Sequence, residues 1–400
     1  ARAEVRDVSG QSWSGRRVAI IGLGKSGRAA AELLCRAGAR VVVTEAQRTG
    51  ALEETAKALL ALGASAVELG GHRRPLIDSS ELVVVSPGVT ESSEPVAWAR
   101  ARGLPIISEI ELAFRFCRSR IVAVTGTNGK SSVTTLISHI LQVAGRRSIA
   151  CGNLGTPFSS VVEQLTPESV AVVEVSSFQL LQCEMFRPSI GVLLNLGTNH
   201  VDRHLSREGY VAAKARLFQR QTPDDWAVLN GADAGVVSLS GSLRARRVWF
   251  GENRANPAPL RLAPQTMASL KENAQAALQV GRVLGVPDPL SCQAIRTFRG
   301  LEHRMEHAGT VRGVSFINDS KSTTPESLLF ALRQVRGSIV LILGGRDKAL
   351  NFELLSGLRH EPRLRGAVLI GEARHRLRGL LNGTPNVRES LHLEAAVEEA

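Results

Sequence analysis

Cysteine is sparse and unpatterned. Five residues (Cys35, Cys117, Cys151, Cys183 and Cys292) are scattered along the chain, odd in number and with no Cys-x-x-Cys pair. That spacing speaks against a disulfide framework or a zinc site and suits a reducing compartment. Aromatic residues make up only 4% of the chain, and no basic run is interleaved with stacking side chains. The net charge of +12 (49 basic and 37 acidic residues) is carried largely by dispersed arginines. It is read as matching a polyanionic small substrate, with host composition adding to it, and no nucleic-acid partner is expected. No run of 18 apolar residues, no signal peptide and no internal repeat is visible, so a cytoplasmic protein with no membrane partner is expected. The chain opens without methionine and stops in a helix-like stretch at Ala400, which suggests a trimmed piece of a longer chain.

What is present is a long α/β pattern. With 400 residues, of which 44% are hydrophobic, two or three domains are expected, built on buried parallel sheets. Residues 18–24 and 41–45 read as strands flanking an amphipathic helix, followed by a helix near 51–62 and strands at 82–86 and 105–108. Residues 116–120 form a short connector. Strands then follow near 121–125, 170–175, 190–196 and 226–230, with an alanine- and leucine-rich helix at about 267–284. The segment 252–265 reads as a surface loop and 298–307 as a hinge. Strands at 314–318, 338–343 and 367–370 alternate with helices in a third α/β unit.

The stretch VAVTGTNGKSSVTTL, 122–136, carries the most specific chemistry. A strand runs into Gly126, Thr127, Asn128 and Gly129, and a helix opens at Lys130 with Ser131 and Ser132 behind it. Backbone N–H groups, the positive end of a helix and a lysine cation converge on one hollow, and Ser131 offers a hydroxyl of the kind that ligates Mg²⁺. Only two residues separate Gly126 from Gly129, fewer than in the usual phosphate loop. A phosphate is nevertheless expected there.

A second glycine motif, Gly22-Leu-Gly24-Lys25-Ser26-Gly27, also follows a strand and opens a helix, and Glu45 ends the next strand. This is the setting of a diphosphate site with a carboxylate for a ribose, and these residues alone leave NAD and a UDP-sugar both open. Glu174 ends an apolar strand, where a carboxylate is costly unless it meets a cation or reaches solvent. His200 follows another apolar strand. His204 lies four residues on, but no Glu follows His200 as it does in a zinc-protease helix. Lys214 sits among alanines, either on a solvated face or where something must approach its amine closely. Asp319, Lys321 and Thr323 follow one strand and Lys348 ends another, both at the carboxyl edge where α/β sheets place ligands.

Taken together, TGTNGKSS, GNLG (152–155), EVSSFQL, the His-Asp segment, YVAAK, GLEHRME and NDSKST occur in an order that resembles the Mur ligases, from about residue 16 to 400. SPG (86–88) and SSFQL are most similar to the branch that adds D-glutamate. The resemblance implies three α/β domains. Residues 1–118 would form a Rossmann-like UDP-substrate domain and 119–302 a central P-loop ATPase domain. Residues 303–400 would form a Rossmann-like amino-acid domain, incomplete because the family's chain continues past LEAAVEEA. The implied reaction is ATP-dependent amide formation through an acyl phosphate, joining UDP-N-acetylmuramoyl-L-alanine to D-glutamate in peptidoglycan precursor synthesis. A monomer is implied, with ATP and two Mg²⁺ ions. Lys130, His200 and Lys214 match catalytic positions, and Ser131, Glu174, His200 and a carbamylated Lys214 match metal ligands. Gly126 to Ser132, Asn273, Arg304 and Asp319 match ATP contacts. Gly24, Lys25, Ser26, Glu45, Ser86, Asn153 and Ser177 match the UDP-substrate site, and Lys321, Thr323 and Lys348 the amino-acid site.

The chain departs from the pattern at Gly197, where threonine is usual, at Asn199, where an acid is common, and before Asn273, where no Gly-x-His-Asn signature stands. Two rival readings follow. One is a nicotinamide-dependent dehydrogenase resting on Gly22 to Glu45, which leaves the second loop without work. The other is a catalytically impaired nucleotide-binding member of the same family.

Overall fold

The computed structural model describes residues 7–8, 10–197, 206–251, 268–298, 300–347 and 351–400. It falls into two compact units, Ala1–Thr266 with Leu270–Phe298, and Met267–Ser269 with Arg299–Ala400.

The first unit holds two parallel sheets. One comprises β1 (Arg17–Ile21), β2 (Arg40–Glu45), β3 (Ala66–Leu69), β4 (Leu82–Val85) and β5 (Ile106–Ser108), in the order β3-β2-β1-β4-β5. The other comprises β6 (Arg120–Thr125), β7 (Ser148–Gly152), β8 (Val170–Glu174), β9 (Ile190–Leu193), β10 (Trp226–Asn230) and β11 (Arg246–Phe250), in the order β11-β10-β9-β6-β8-β7. Their central strands are runs of valine, isoleucine and alanine because helices cover both faces; β8 is buried along its whole length. Strand order reverses beside β1 and again beside β6, so the loops leaving these two strands open into crevices between diverging neighbours. Both glycine motifs occupy those loops.

Helix Glu109–Phe116 joins the two sheets. Ser108 caps it by accepting from the Glu111 N–H, and the Glu111 carboxylate accepts from Arg115 and from the N–H groups of Glu184, Met185 and Phe186. The Trp13 and Phe116 rings pack 5.3 Å apart, and one apolar core runs from Trp13, just before the first sheet, through to Leu229 in the second.

The second unit contains an antiparallel hairpin, β12 (Glu306–Val311) with β13 (Val314–Asn318), and a parallel sheet β14-β15-β16 of Ile339–Gly344, Leu364–Ile370 and Val387–Glu389. Leu341, Leu369, Leu355 and Leu377 contribute to a core of its own. The stretch 314–318 is therefore a hairpin arm and not a strand of the third parallel sheet. Arg312 and Gly313 both adopt positive φ (49° and 82°), as a two-residue hairpin turn requires, and β13 folds back on β12. The expected loop at 252–265 lies outside the described residues, whereas the helix expected after it is present at Ala268–Val283.

Candidate active site

The first glycine loop leaves β1 and enters helix Lys25–Arg36, whose first turn carries no acid. A Cβ at Gly27 would collide with the Gly22 carbonyl oxygen, so only glycine lets the helix start this close to the strand. Ser86 Oγ donates to that carbonyl at 2.9 Å from the end of β4. Glu45 accepts from the Leu23 N–H at 2.7 Å and the Gln47 N–H at 2.9 Å, so it shapes the loop as well as facing the crevice. The crevice is a cleft of about 620 Å³ whose lining includes Gly24, Lys25, Ser26, Glu45, Ser86 and Asn153. Six of the seven residues expected at the nucleotide-sugar site thus meet. Ser177 does not line the cleft; it is buried at the start of helix Ser177–Leu181 behind its cap, Ser176. His72 lines the same cleft without having been singled out in the sequence.

The second loop leaves β6 and is held from β9. Asn195 Oδ1 accepts from the N–H groups of Thr127 (2.9 Å) and Asn128 (2.8 Å), and its amide donates to the Asn128 carbonyl. Thr127 Oγ1 accepts from the Gly197 N–H and bonds to the hydroxyl of Tyr210, the sole tyrosine of the chain. Gly129 adopts φ 83° as the N-cap of helix Lys130–Val143, and Asn273 packs so closely that a Cβ there would collide with its amide. Asn273 therefore lies beside the loop even without the expected signature before it. Lys130 Nζ donates to the Thr127 carbonyl at 2.9 Å, folding its cation over the loop. Asn195 and Tyr210 were not legible as site residues. Their partners lie 67 to 83 positions away, and the one hint was an amide just past an apolar strand.

Between the two loops lies a buried charged cluster. Glu174 is 2% exposed at the end of β8; its Oε1 accepts from Asn153 Nδ2 at 2.9 Å, while its buried Oε2 has no hydrogen-bond partner. Lys214, also 2% exposed, donates from helix Arg207–Ala215 to the Gly126 carbonyl at 2.9 Å and to Thr125 Oγ1, with its ammonium 4.7 Å from the Tyr210 ring centroid. Burial pushes this amine well below its ordinary pKa; the Lys130 cation adds to the shift and Glu174 opposes it. The solvated-face reading of Lys214 is thereby excluded. An unpartnered buried carboxylate oxygen beside a phosphate cradle fits a cation ligand. Among the described residues, no group of three or more His, Cys, Asp and Glu side chains is placed to hold a metal. The charged groups that act on one another here are Glu174, Lys130 and Lys214.

In the second unit, Asp319 accepts from the Met305 N–H and from Ser322 Oγ, and the Lys321 N–H donates to the His303 carbonyl. Arg304, Asp319 and Lys321 are thereby gathered around one turn, with Lys321 and Thr323 exposed. His200, Asn199 and Lys348 lie outside the described residues.

The chain matches the family models of the Mur ligase MurD-like N-terminal domain over residues 16–108 and the Mur ligase middle domain over 124–276. It is 36% identical over 411 residues to a UDP-N-acetylmuramoylalanine--D-glutamate ligase of Desulfosudis oleivorans, covering 96% of this chain and 88% of the relative. To the ligase of the same name from Acidobacterium capsulatum it is 38% identical over 409 residues, with the same coverage. Among solved structures, UDP-N-acetylmuramate-alanine ligase MurC of Thermotoga maritima superposes with a TM-score of 0.61 at 18% identity, covering 94% of this chain and 91% of that one. MurF ligase of Thermotoga maritima in complex with ADP gives 0.55 at 14% identity, with 94% and 86% covered. At such identities the structures attest the fold alone, while the sequence relatives and the two domain models carry the assignment: this chain belongs to the Mur ligase family, among the UDP-N-acetylmuramoylalanine--D-glutamate ligases.

Proposed function

We propose that the protein is an ATP-dependent amide ligase that adds D-glutamate to UDP-N-acetylmuramoyl-L-alanine in peptidoglycan precursor synthesis. The observation that carries the site-level reading is the contact between Asn153 and Glu174. It couples a nucleotide-sugar cleft to a phosphate loop within one compact unit. A dehydrogenase would need only the first loop, so that reading is not favoured.

In this account residues 1–118 bind the UDP moiety, 119–302 bind ATP and 303–400 receive the amino acid. The Gly126–Gly129 backbone and Lys130 hold the nucleotide phosphates. Ser132 lies in the same helix turn, and Asn273, Arg304 and Asp319 contact the nucleotide. The γ-phosphoryl group passes to the substrate carboxylate, ADP leaves, and an acyl phosphate results. The D-glutamate amine attacks its carbonyl, loses a proton, and phosphate departs from the tetrahedral intermediate. Ser131, Glu174, His200 and a carbamylated Lys214 would hold two Mg²⁺ ions, which when bound offset the phosphate charge. The depressed amine of Lys214 supports the carbamate, because only a neutral amine reacts with carbon dioxide. Lys25 and the helix start behind it attract the diphosphate, and Ser177 is the remaining substrate contact that the family resemblance implies. Lys321, Thr323 and Lys348 attract the glutamate carboxylates. The enzyme acts as a monomer in the cytoplasm; no helix among the described residues is long and apolar enough to cross a membrane.

The test is phosphate release from ATP in the presence of UDP-N-acetylmuramoyl-L-alanine, with and without D-glutamate. Release is expected to depend on D-glutamate and to be lost in Lys130→Ala with the fold intact. Near-normal turnover in that variant would remove the phosphate-loop assignment.

A further inference from the structure

We infer that His72 reads the nucleotide base, its Nε2 accepting the imide N–H of the uracil ring. The inference rests on the nucleotide-sugar reading of the cleft and assigns one contact within it.

The cleft has a direction. Lys25 and the positive end of helix Lys25–Arg36 mark where a diphosphate sits, over the end of β1. Asn153 and Gly155 line the side toward the central sheet, where the acylated sugar must reach the phosphate loop. The nucleoside is left with the opposite side, past the ends of β2 and β3, where Glu45, Gln47 and His72 line the wall. Glu45 already accepts two backbone N–H groups, from Leu23 and Gln47, and its carboxylate is engaged in shaping the loop.

His72 is held in a defined state. The N–H groups of Gly70 and Gly71 donate to the Glu45 carbonyl, which pins the segment after β3 onto the end of β2. Thr44, 3% exposed, places its hydroxyl 2.7 Å from His72 Nδ1 and 3.1 Å from the Gly71 carbonyl. A hydroxyl has one proton, and a carbonyl can only accept. Both contacts are satisfied when Thr44 donates to Gly71 and His72 Nδ1–H donates to Thr44. The imidazole is then the Nδ1–H tautomer, and Nε2 is the acceptor left for a ligand. Uracil has one ring donor, N3–H, between two carbonyl acceptors. An acceptor fixed at the nucleoside side of the cleft selects that donor and leaves cytosine, whose N3 accepts, without a partner.

Calorimetric titration of the full chain with UDP, N3-methyl-UDP and 2′-deoxy-UDP tests this. For the unaltered protein, N3-methylation should weaken binding at least tenfold, while 2′-deoxy-UDP should bind within about twofold of UDP. In His72→Ala, UDP should bind roughly five- to tenfold more weakly, the scale of one lost hydrogen bond, and the N3-methyl penalty should shrink below about twofold. His72→Gln, which keeps an acceptor near the Nε2 position, should restore most of both effects. Unchanged UDP affinity in His72→Ala would overturn the inference, and so would an N3-methyl penalty that survives there, or a marked 2′-deoxy penalty in the unaltered protein that His72→Ala removes. Failure of the unaltered protein to bind any of the three would remove the nucleotide-sugar reading of the cleft itself.

Discussion

Glu174 shows how one residue can be poor for stability and suited to chemistry. A carboxylate oxygen held at 2% exposure without a partner costs on the order of 1–3 kcal/mol, which the fold tolerates beside the buried Lys214 amine. Glu174→Gln can keep the Asn153 contact while removing the charge that a cation would meet. The variant should unfold at the same temperature as the unaltered protein or slightly above it when Mg²⁺ and nucleotide are absent. It should also gain less from adding Mg²⁺ and ADP, and its ligation rate should fall about 100-fold or more. Thermal melts with and without Mg²⁺ and ADP, run beside the phosphate-release assay, decide this. A variant with full Mg²⁺-dependent stabilisation would show that Glu174 is not a cation ligand.

The element that most needs explaining is helix Glu109–Phe116, which carries two buried acids at its start. Glu111 is fully satisfied by Arg115 and three backbone N–H groups, so it acts as a clamp between the sheets. Glu109 is different. It accepts from the Ser159 N–H, but its Oε2 is buried without a partner, and burial pushes its pKa from 4.5 to about 7. The nearby Cys151 and Cys183 thiols are themselves pushed up by burial and offer no positive charge. Between those two pH values the folded state keeps a proton that the unfolded chain has released, so stability falls as pH rises through the window and levels off above it. The shift corresponds to about 3 kcal/mol at most. Glu109→Gln keeps the Ser159 contact and cannot ionise. It should match the unaltered protein near pH 5 and exceed it by about 1–3 kcal/mol near pH 8 in urea unfolding. Parallel pH dependence in the two proteins would show that Glu109 is ionised in the fold.

At the scale of the whole molecule, the legible parts were those written locally. Gly22 to Gly27 and Gly126 to Lys130 each lie between a buried strand and a helix, and topology then placed both loops at crevices where strand order reverses. What escaped was set by contacts distant in sequence. Asn195 braces a loop 67 and 68 residues away, and His72 takes its tautomer from Thr44 on a neighbouring strand. Strand β3 was missed because its four residues are only half-buried and show no alternation. Val314–Asn318 is the strand expected there, but its antiparallel pairing was not legible because an apolar run does not reveal its partner, although the Arg-Gly turn before it could have shown it. The same architecture sets the unfolding behaviour. One core runs through both sheets of the first unit, whereas the β14-β15-β16 sheet packs on a separate cluster. Each unit can therefore lose its packing without the other's core being breached. Scanning calorimetry should resolve two transitions. UDP should raise only the one belonging to the first unit, because every residue lining the cleft belongs to it, and the rise should grow with the logarithm of UDP concentration above Kd. A single transition that UDP moves as a whole would mean that the two units unfold as one cooperative body.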